Sequence, residues 1–220
     1  MSDVSRVLWT IIARTAPQPR LGCSRCGEAR RFRSSDRIRV NANGKRVDAW
    51  LIYKCTSCGS TWNRPILERQ AVRTLDAAFL MSLHASEAAL TRRLAFDVEG
   101  LRRSAGRIEE FDDALVVKKV LSESAEPARR LEILCSVPDP VGLRVDRLLA
   151  NELRLPRSRI HGLAKSGDLV AYPQGSQLRR TVRDGMRLVL VNFQPFARSR
   201  FGTTGVPCPV PVSRFGERSR

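Results

Sequence analysis

The chain has no apolar run approaching the roughly 20 residues that a membrane-crossing helix needs. Its first residues, MSDVSRVLWTIIARTAPQPR, hold one short apolar patch with Arg14 close behind. A secretory signal would want a longer apolar region and a small-residue cleavage site, so a cytoplasmic location is expected. Cysteine is scarce, six in 220 residues, too few for a disulfide scaffold. Histidine occurs only twice. His84 lies among Phe79, Leu80, Met81 and Leu83 and reads as a packed helix residue, and His161 reads as polar surface. No serine, histidine and acid fall together, and no glycine-rich phosphate loop opens a helix, so catalysis is not expected. At 42% hydrophobic residues, wholesale disorder is excluded as well.

What the chain does have is two copies of Cys-x-x-Cys-Gly. Cys23 and Cys26 form one pair, Cys55 and Cys58 the other. A two-residue gap lets both sulfurs of a tight turn face one ion, and two such turns complete a tetrahedron around zinc. Gly27 and Gly59 follow the second cysteine of each pair, where the chain must bend sharply. Between the pairs, Ile38 and Val40 alternate with charges, and so do Val47, Ala49, Leu51 and Tyr53, with Asn43-Gly44 as the turn signal. That hairpin would bring both cysteine turns to one end of a small sheet, giving a zinc ribbon with Cys23, Cys26, Cys55 and Cys58 as ligands. Two other readings of four thiols are redox dithiols and an iron–sulfur cluster. A redox pair usually opens a helix after a strand, and here strand-like text follows each pair. With four protein ligands the zinc is structural, holding a domain whose core is small. Trp50 and Trp62 read as core aromatics beside the metal.

Of 39 basic residues, 34 are arginine, and the formal net charge is +17. Codon bias alone could raise arginine, so its distribution matters more than its total. Residues 1–75 carry a net of +10, 76–140 a net of −3, 141–195 a net of +6 and 196–220 a net of +4. Uniform bias would not leave an acidic centre between basic flanks. A polyanionic partner, nucleic acid above all, is expected, with RNA first and DNA possible. The acidic run Glu109, Glu110, Asp112, Asp113 reads as a solvated face or the first turn of a helix.

The fold class expected is α+β in four parts. Residues 1–70 form the ribbon and 71–130 a helical connector, with stripes at Leu75, Ala78, Phe79, Leu83, Leu90 and Leu94, then Ile108, Phe111 and Leu115. Residues 131–195 form two helices with a small sheet, and 196–220 a disordered basic tail. Within the third part, 130–137 reads as a strand. A helix over 143–153 buries Val145, Leu148, Leu149 and Leu153, and a second over 156–165 buries Ile160, Leu163 and Ala164. Each helix keeps a polar, mostly basic side: Arg144, Arg147 and Asn151 on the first, Arg157, His161 and Lys165 on the second.

These residues resemble a family. Arg144-Val-Asp146-x-x-Leu149, Ser158-Arg159, Lys165-x-Gly167-x-Leu-Val170 and Val182-Arg-Asp-Gly185 are similar to the RNA-binding module named after small ribosomal subunit protein four. The resemblance covers about 50 residues and departs at VAYPQGSQ, where that module usually has a Val-Asn-Gly hairpin. It implies two helices and a small sheet that grip structured RNA such as rRNA or tRNA, with Arg144, Arg147, Arg157, Ser158, Arg159 and Lys165 facing the RNA. The stretch from CSRCGEARRFR to TSCGSTWNRPILER also resembles an uncharacterised bacterial family, a domain of unknown function. That likeness implies a bacterial zinc-ribbon protein and no particular activity.

Overall fold

A computed structural model describes residues 4–122, 130–173 and 177–191. The expected tail, 196–220, lies outside the described residues. The elements, in chain order, are strands β1 (Val4–Ala13), β2 (Gln18–Cys23), β3 (Glu28–Asn43), β4 (Arg46–Cys55) and β5 (Thr61–Ala71). Helices α1 (Ala77–Ala85), α2 (Ala88–Ala95) and α3 (Val98–Ser104) follow. Then come β6 (Ile108–Glu109), β7 (Ala114–Ser122), β8 (Arg130–Ser136), helices α4 (Val145–Leu153) and α5 (Arg157–Ser166), and strands β9 (Leu169–Tyr172) and β10 (Arg187–Val191). The fold is mixed α and β, with two five-stranded sheets.

The first sheet runs in the order β5-β4-β3-β2-β6. Period-2 alternation drives it: on β4, Val47, Ala49, Leu51, Tyr53 and Cys55 point inward while the residues between them do not. Phe32, Ile38, Leu51 and Tyr53 form a core with Leu83 of α1, Leu90 and Ala95 of α2 and Leu101 of α3, so all three helices cover the same face. Asp76 and Asp97 start α1 and α3 by accepting from the backbone N–H of Phe79 and Gly100. The hairpin turn sits one residue later than Asn43-Gly44. Asn43 pairs with Arg46, so the two loop residues are Gly44 and Lys45, and positive φ falls on Gly44 alone.

The second sheet runs β7-β1-β8-β10-β9, with β1 and β8 parallel and the other pairs antiparallel. Trp9, Ile11, Ile133, Leu188 and Leu190 pack against Leu148, Leu149 and Ile160 of α4 and α5. Two groupings differ from the sequence reading. β1, grouped there with the ribbon, belongs wholly to this sheet and pairs with β8, more than a hundred residues away; the chain enters the first sheet only after Ala13. Alternation marks a strand without naming its partner. The stripe Ile108, Phe111, Leu115 is not helical: Ala114–Ser122 is a strand beside β1, rich in β-branched valine.

The sheets meet at α2. Arg92 donates to the Ala13 carbonyl at 3.0 Å, pairs with Asp139, and lies over the Phe96 ring. The acidic run links β6 to β7 instead of opening a helix, and each of its four carboxylates faces an arginine: Glu109 with Arg31, Glu110 with Arg102, Asp112 with Arg147 and Asp113 with Arg14. Among the described residues, no helix is long and apolar enough to cross a membrane.

Candidate metal centre and basic surfaces

The turn after β2 and the turn after β4 lie at the same end of the first sheet, because Phe32 of β3 stands opposite Cys55 and Cys23 of β2 opposite Glu28. In the first turn the Gly27 N–H donates to the Cys23 carbonyl, and in the second the Gly59 N–H donates to the Cys55 carbonyl. Both glycines take positive φ, +72° and +74°, which a side chain would oppose. The Thr56 N–H donates to the Arg31 carbonyl and ties the second turn to β3.

These contacts bring all four sulfurs within 4.8 Å of one another, with Cys23 Sγ 3.5 Å from Cys58 Sγ and Cys26 Sγ 4.0 Å from Cys55 Sγ. All four thiols are free. Cys23 and Cys55 are buried and the other two half-buried, so the cluster could hold one metal ion. Its thiols are not equivalent. The hydroxyl and backbone N–H of Ser60 hold Cys58 down to about 6. The Cys26 N–H lowers Cys23, and the Cys58 sulfur, with burial, pushes Cys26 up to about 12. Cys135 lies apart on β8, where burial alone pushes its thiol up to about 12.

Trp62 fits the expected core role: it packs on the inner face, its ring centroid 5.3 Å from that of Tyr53. Trp50 does not. It lies between Ala49 and Leu51 in the alternation and so faces outward, half-buried, with the Arg39 guanidinium 6.0 Å from its ring. The parity was readable in Val47, Ala49, Leu51 and Tyr53. His84 is exposed at the end of α1, not packed.

Beside the second sheet, part of the basic ridge is drawn together around an acid, the aspartate of Arg144-Val-Asp146. Asp146, in the first turn of α4, is fully buried. It accepts from Arg144 at 2.7 Å, from Arg157 at 2.9 Å, and its oxygen lies 3.0 Å from His161 Nε2. Burial alone would raise this carboxyl, but hydrogen bonds from Arg157, His161 and Arg144 outweigh it and hold the group below the usual carboxylate range. Arg147 pairs with Asp112 across to the β6–β7 link. Ser158, Arg159 and Lys165 are exposed, and their side chains have no partner among the described residues. Glu132 on β8 is a second such centre, gripped by Arg6 and Arg187 at 3.0 and 3.1 Å. An aspartate at the start of a basic helix was the available clue to Asp146.

The chain is thus a mixed α+β protein with a four-cysteine cluster at one end of one sheet and, on α4 beside the other, a buried aspartate organising arginines. Residues 40–174, more than half of its length, match the family described as protein of unknown function DUF1062, and the chain belongs to that family. The match takes in Cys55, Cys58 and both α4 and α5, and begins after Cys23 and Cys26. No curated protein and no solved structure shows significant similarity to it.

Proposed function

We propose that this is a zinc-ribbon protein without catalytic activity that binds structured RNA through the exposed side of α4 and α5. For the metal, a tetrahedron with zinc–sulfur arms of 2.3 Å has edges of about 3.8 Å. The 3.5 and 4.0 Å sulfur separations bracket that value. Four thiolates leave no open position, so zinc would clamp the strand ends and perform no chemistry.

The observation that carries the RNA reading is Asp146. It fixes Arg144 and Arg157 in place while their side chains stay 38% and 53% exposed. A guanidinium has five N–H donors, so a carboxylate behind it leaves others for a phosphate in front, with the ordering entropy already lost. Lys165, about two turns beyond Arg157, extends the same ridge of α5, and Ser158 and Arg159 are exposed elsewhere on that helix. An alternative is a ribbon that docks to a protein or to DNA while α4 and α5 only pack. The pairing of Arg147 with Asp112 favours that reading, because it occupies one ridge cation internally.

Binding of the zinc-loaded chain to a structured RNA and to duplex DNA, across a salt series, separates the two. Arg159→Glu with Lys165→Glu is the informative variant, since neither cation supports a buried carboxylate. The RNA reading expects affinity that falls steeply with salt, weaker binding of the variant and a shallower salt slope. Unchanged RNA affinity and slope in that variant would defeat it.

A further inference from the structure

The helices α1, α2 and α3 all cover one face of the first sheet, and the other face is built unlike an inert solvent surface. Strand register places Arg20 of β2, Arg31, Arg33 and Arg39 of β3, and Lys54 of β4 on this outer face together with Trp50. Arg33 stands directly opposite Lys54, and Arg20 directly opposite Arg31. Like charges in directly opposed positions destabilise a sheet. Arg31 is offset by Glu109 at 3.3 Å, whereas the side chains of Arg33, Lys54 and Arg20 are exposed and have no partner among the described residues. The fold therefore keeps an uncompensated repulsion on a face where any neutral polar residue would serve solubility. An anion laid across the strands would relieve it.

The apolar part of the face narrows the anion's chemistry. Trp50 is flanked on its own strand by Ile52 and opposed on β5 by Pro65, all half-buried. On one face of a strand, residues two apart stand about 7 Å from each other, so Trp50, Ile52 and Lys54 form a short row leading toward the cysteine end. Arg39, at 6.0 Å, is at the outer limit of a cation–π contact and is not stacked tightly on the ring. A partner that presents flat rings and regularly spaced negative charges matches both parts. A base pair in a duplex hides its ring faces, so the match is to an unpaired strand.

We propose that this outer sheet face binds single-stranded RNA, with a base stacked on Trp50 and the backbone phosphates on Arg33, Arg39 and Lys54. The choice of RNA over DNA rests on the function proposed above; the choice of a single strand rests on the face itself.

The test uses the full zinc-loaded chain and a short unstructured oligouridylate, followed by anisotropy and by tryptophan fluorescence. Oligothymidylate, an RNA duplex and polyglutamate are the comparison probes. The oligouridylate should bind in preference to oligothymidylate and polyglutamate, and also to the RNA duplex once Arg159→Glu with Lys165→Glu has silenced the helix surface, and it should quench tryptophan emission. Arg33→Glu with Lys54→Glu should weaken it about tenfold or more and flatten the salt dependence, since each phosphate contact contributes a slope of about 0.7 on single strands. Trp50→Ala should weaken it about fivefold or more, the low end of base–aromatic stacking, and Trp50→Phe should recover most of that loss. Metal content equal to the unaltered chain's serves as the folding control, and the charge variant decides the matter if Trp50→Ala fails it. Arg159→Glu with Lys165→Glu should leave oligouridylate binding within about twofold, so failure of the helix surface and failure of this face are told apart. Unchanged affinity in the Arg33/Lys54 variant, or polyglutamate competing as well as the oligouridylate, overturns the proposal; equal binding of oligothymidylate overturns its choice of RNA.

Discussion

The second sheet and the outer face of the first handle their cations differently. On the second sheet, arginines turn toward acids: Arg144 and Arg157 to buried Asp146, Arg6 and Arg187 to Glu132. On the first sheet's outer face, Arg20, Arg33 and Lys54 have no such acid among the described residues, and Arg33 and Lys54 confront each other. Net charge by region does not reveal this, because both regions are basic. What differs is whether a cation has a carboxylate behind it. The sheets also close their ends differently. The second relies on an apolar core that α4 and α5 complete, while the first brings two glycine-ended turns together through four sulfurs.

The largest expected effect breaks the sheets apart as folding units. Cys55→Ser removes one of the four ligands proposed for zinc, and a structural zinc site contributes on the order of 10 kcal/mol to the fold that it holds. The variant should lose its metal and the packing of Trp62 on Tyr53, while the second sheet persists. Hydrogen exchange resolved along β4 and β8 checks this; simultaneous loss of protection on both strands would contradict the distinction.

An intermediate effect is expected at Asp146. Asp146→Ala leaves Arg144 and Arg157 without their shared acceptor. Removing one partner of a fully buried pair costs about 3–5 kcal/mol, and the partial exposure of both arginines reduces this to about 2 kcal/mol. Denaturant unfolding should show the loss, with metal content unchanged. The pH dependence follows from the same group. Its folded pKa lies below the unfolded value, so its contribution is present above roughly pH 4 and disappears as pH falls through the folded value. Glu132 is shifted the same way, held down by Arg6 and Arg187 against burial, and adds to the acid sensitivity of the second sheet.

The smallest effect has the opposite sign. Lys54→Glu converts the Arg33–Lys54 opposition into an opposite-charge pair, which should stabilise the metal-loaded chain by roughly 0.2–1 kcal/mol. Arg157→Glu, the same reversal on the second sheet, sets a carboxylate beside Asp146 and should destabilise. Thermal unfolding of the two variants side by side makes the contrast measurable, and destabilisation by both would remove it.

Much of the first sheet was legible because its cues are local. Cys-x-x-Cys-Gly spacing, the alternation on β4 and a glycine turn all act within a few residues, and the cysteine cluster follows from them. The helices α4 and α5 were legible from apolar periodicity to within two residues of their starts. The pairing of β1 with β8 was not, because the alternation of Val7, Trp9, Ile11 and Ala13 marks a buried face without naming the partner strand. Ile108, Phe111 and Leu115 matched a helical period by coincidence, and the valines that follow decided for a strand. The roles of Asp146 and of the acidic run depended on arginines brought near only by folding. Trp50 differs for another reason: its aromatic character suits a core, but the parity set by Val47, Ala49, Leu51 and Tyr53 turns it outward.

Native mass spectrometry of the purified full chain, followed by titration with a chelator under circular dichroism, tests the metal clamp most directly. One zinc ion per chain is expected, and its removal should abolish the first sheet's ordered signal while part of the spectrum remains. A chain that carries no ion, and whose spectrum is unaffected by chelator or by added zinc, would contradict the account.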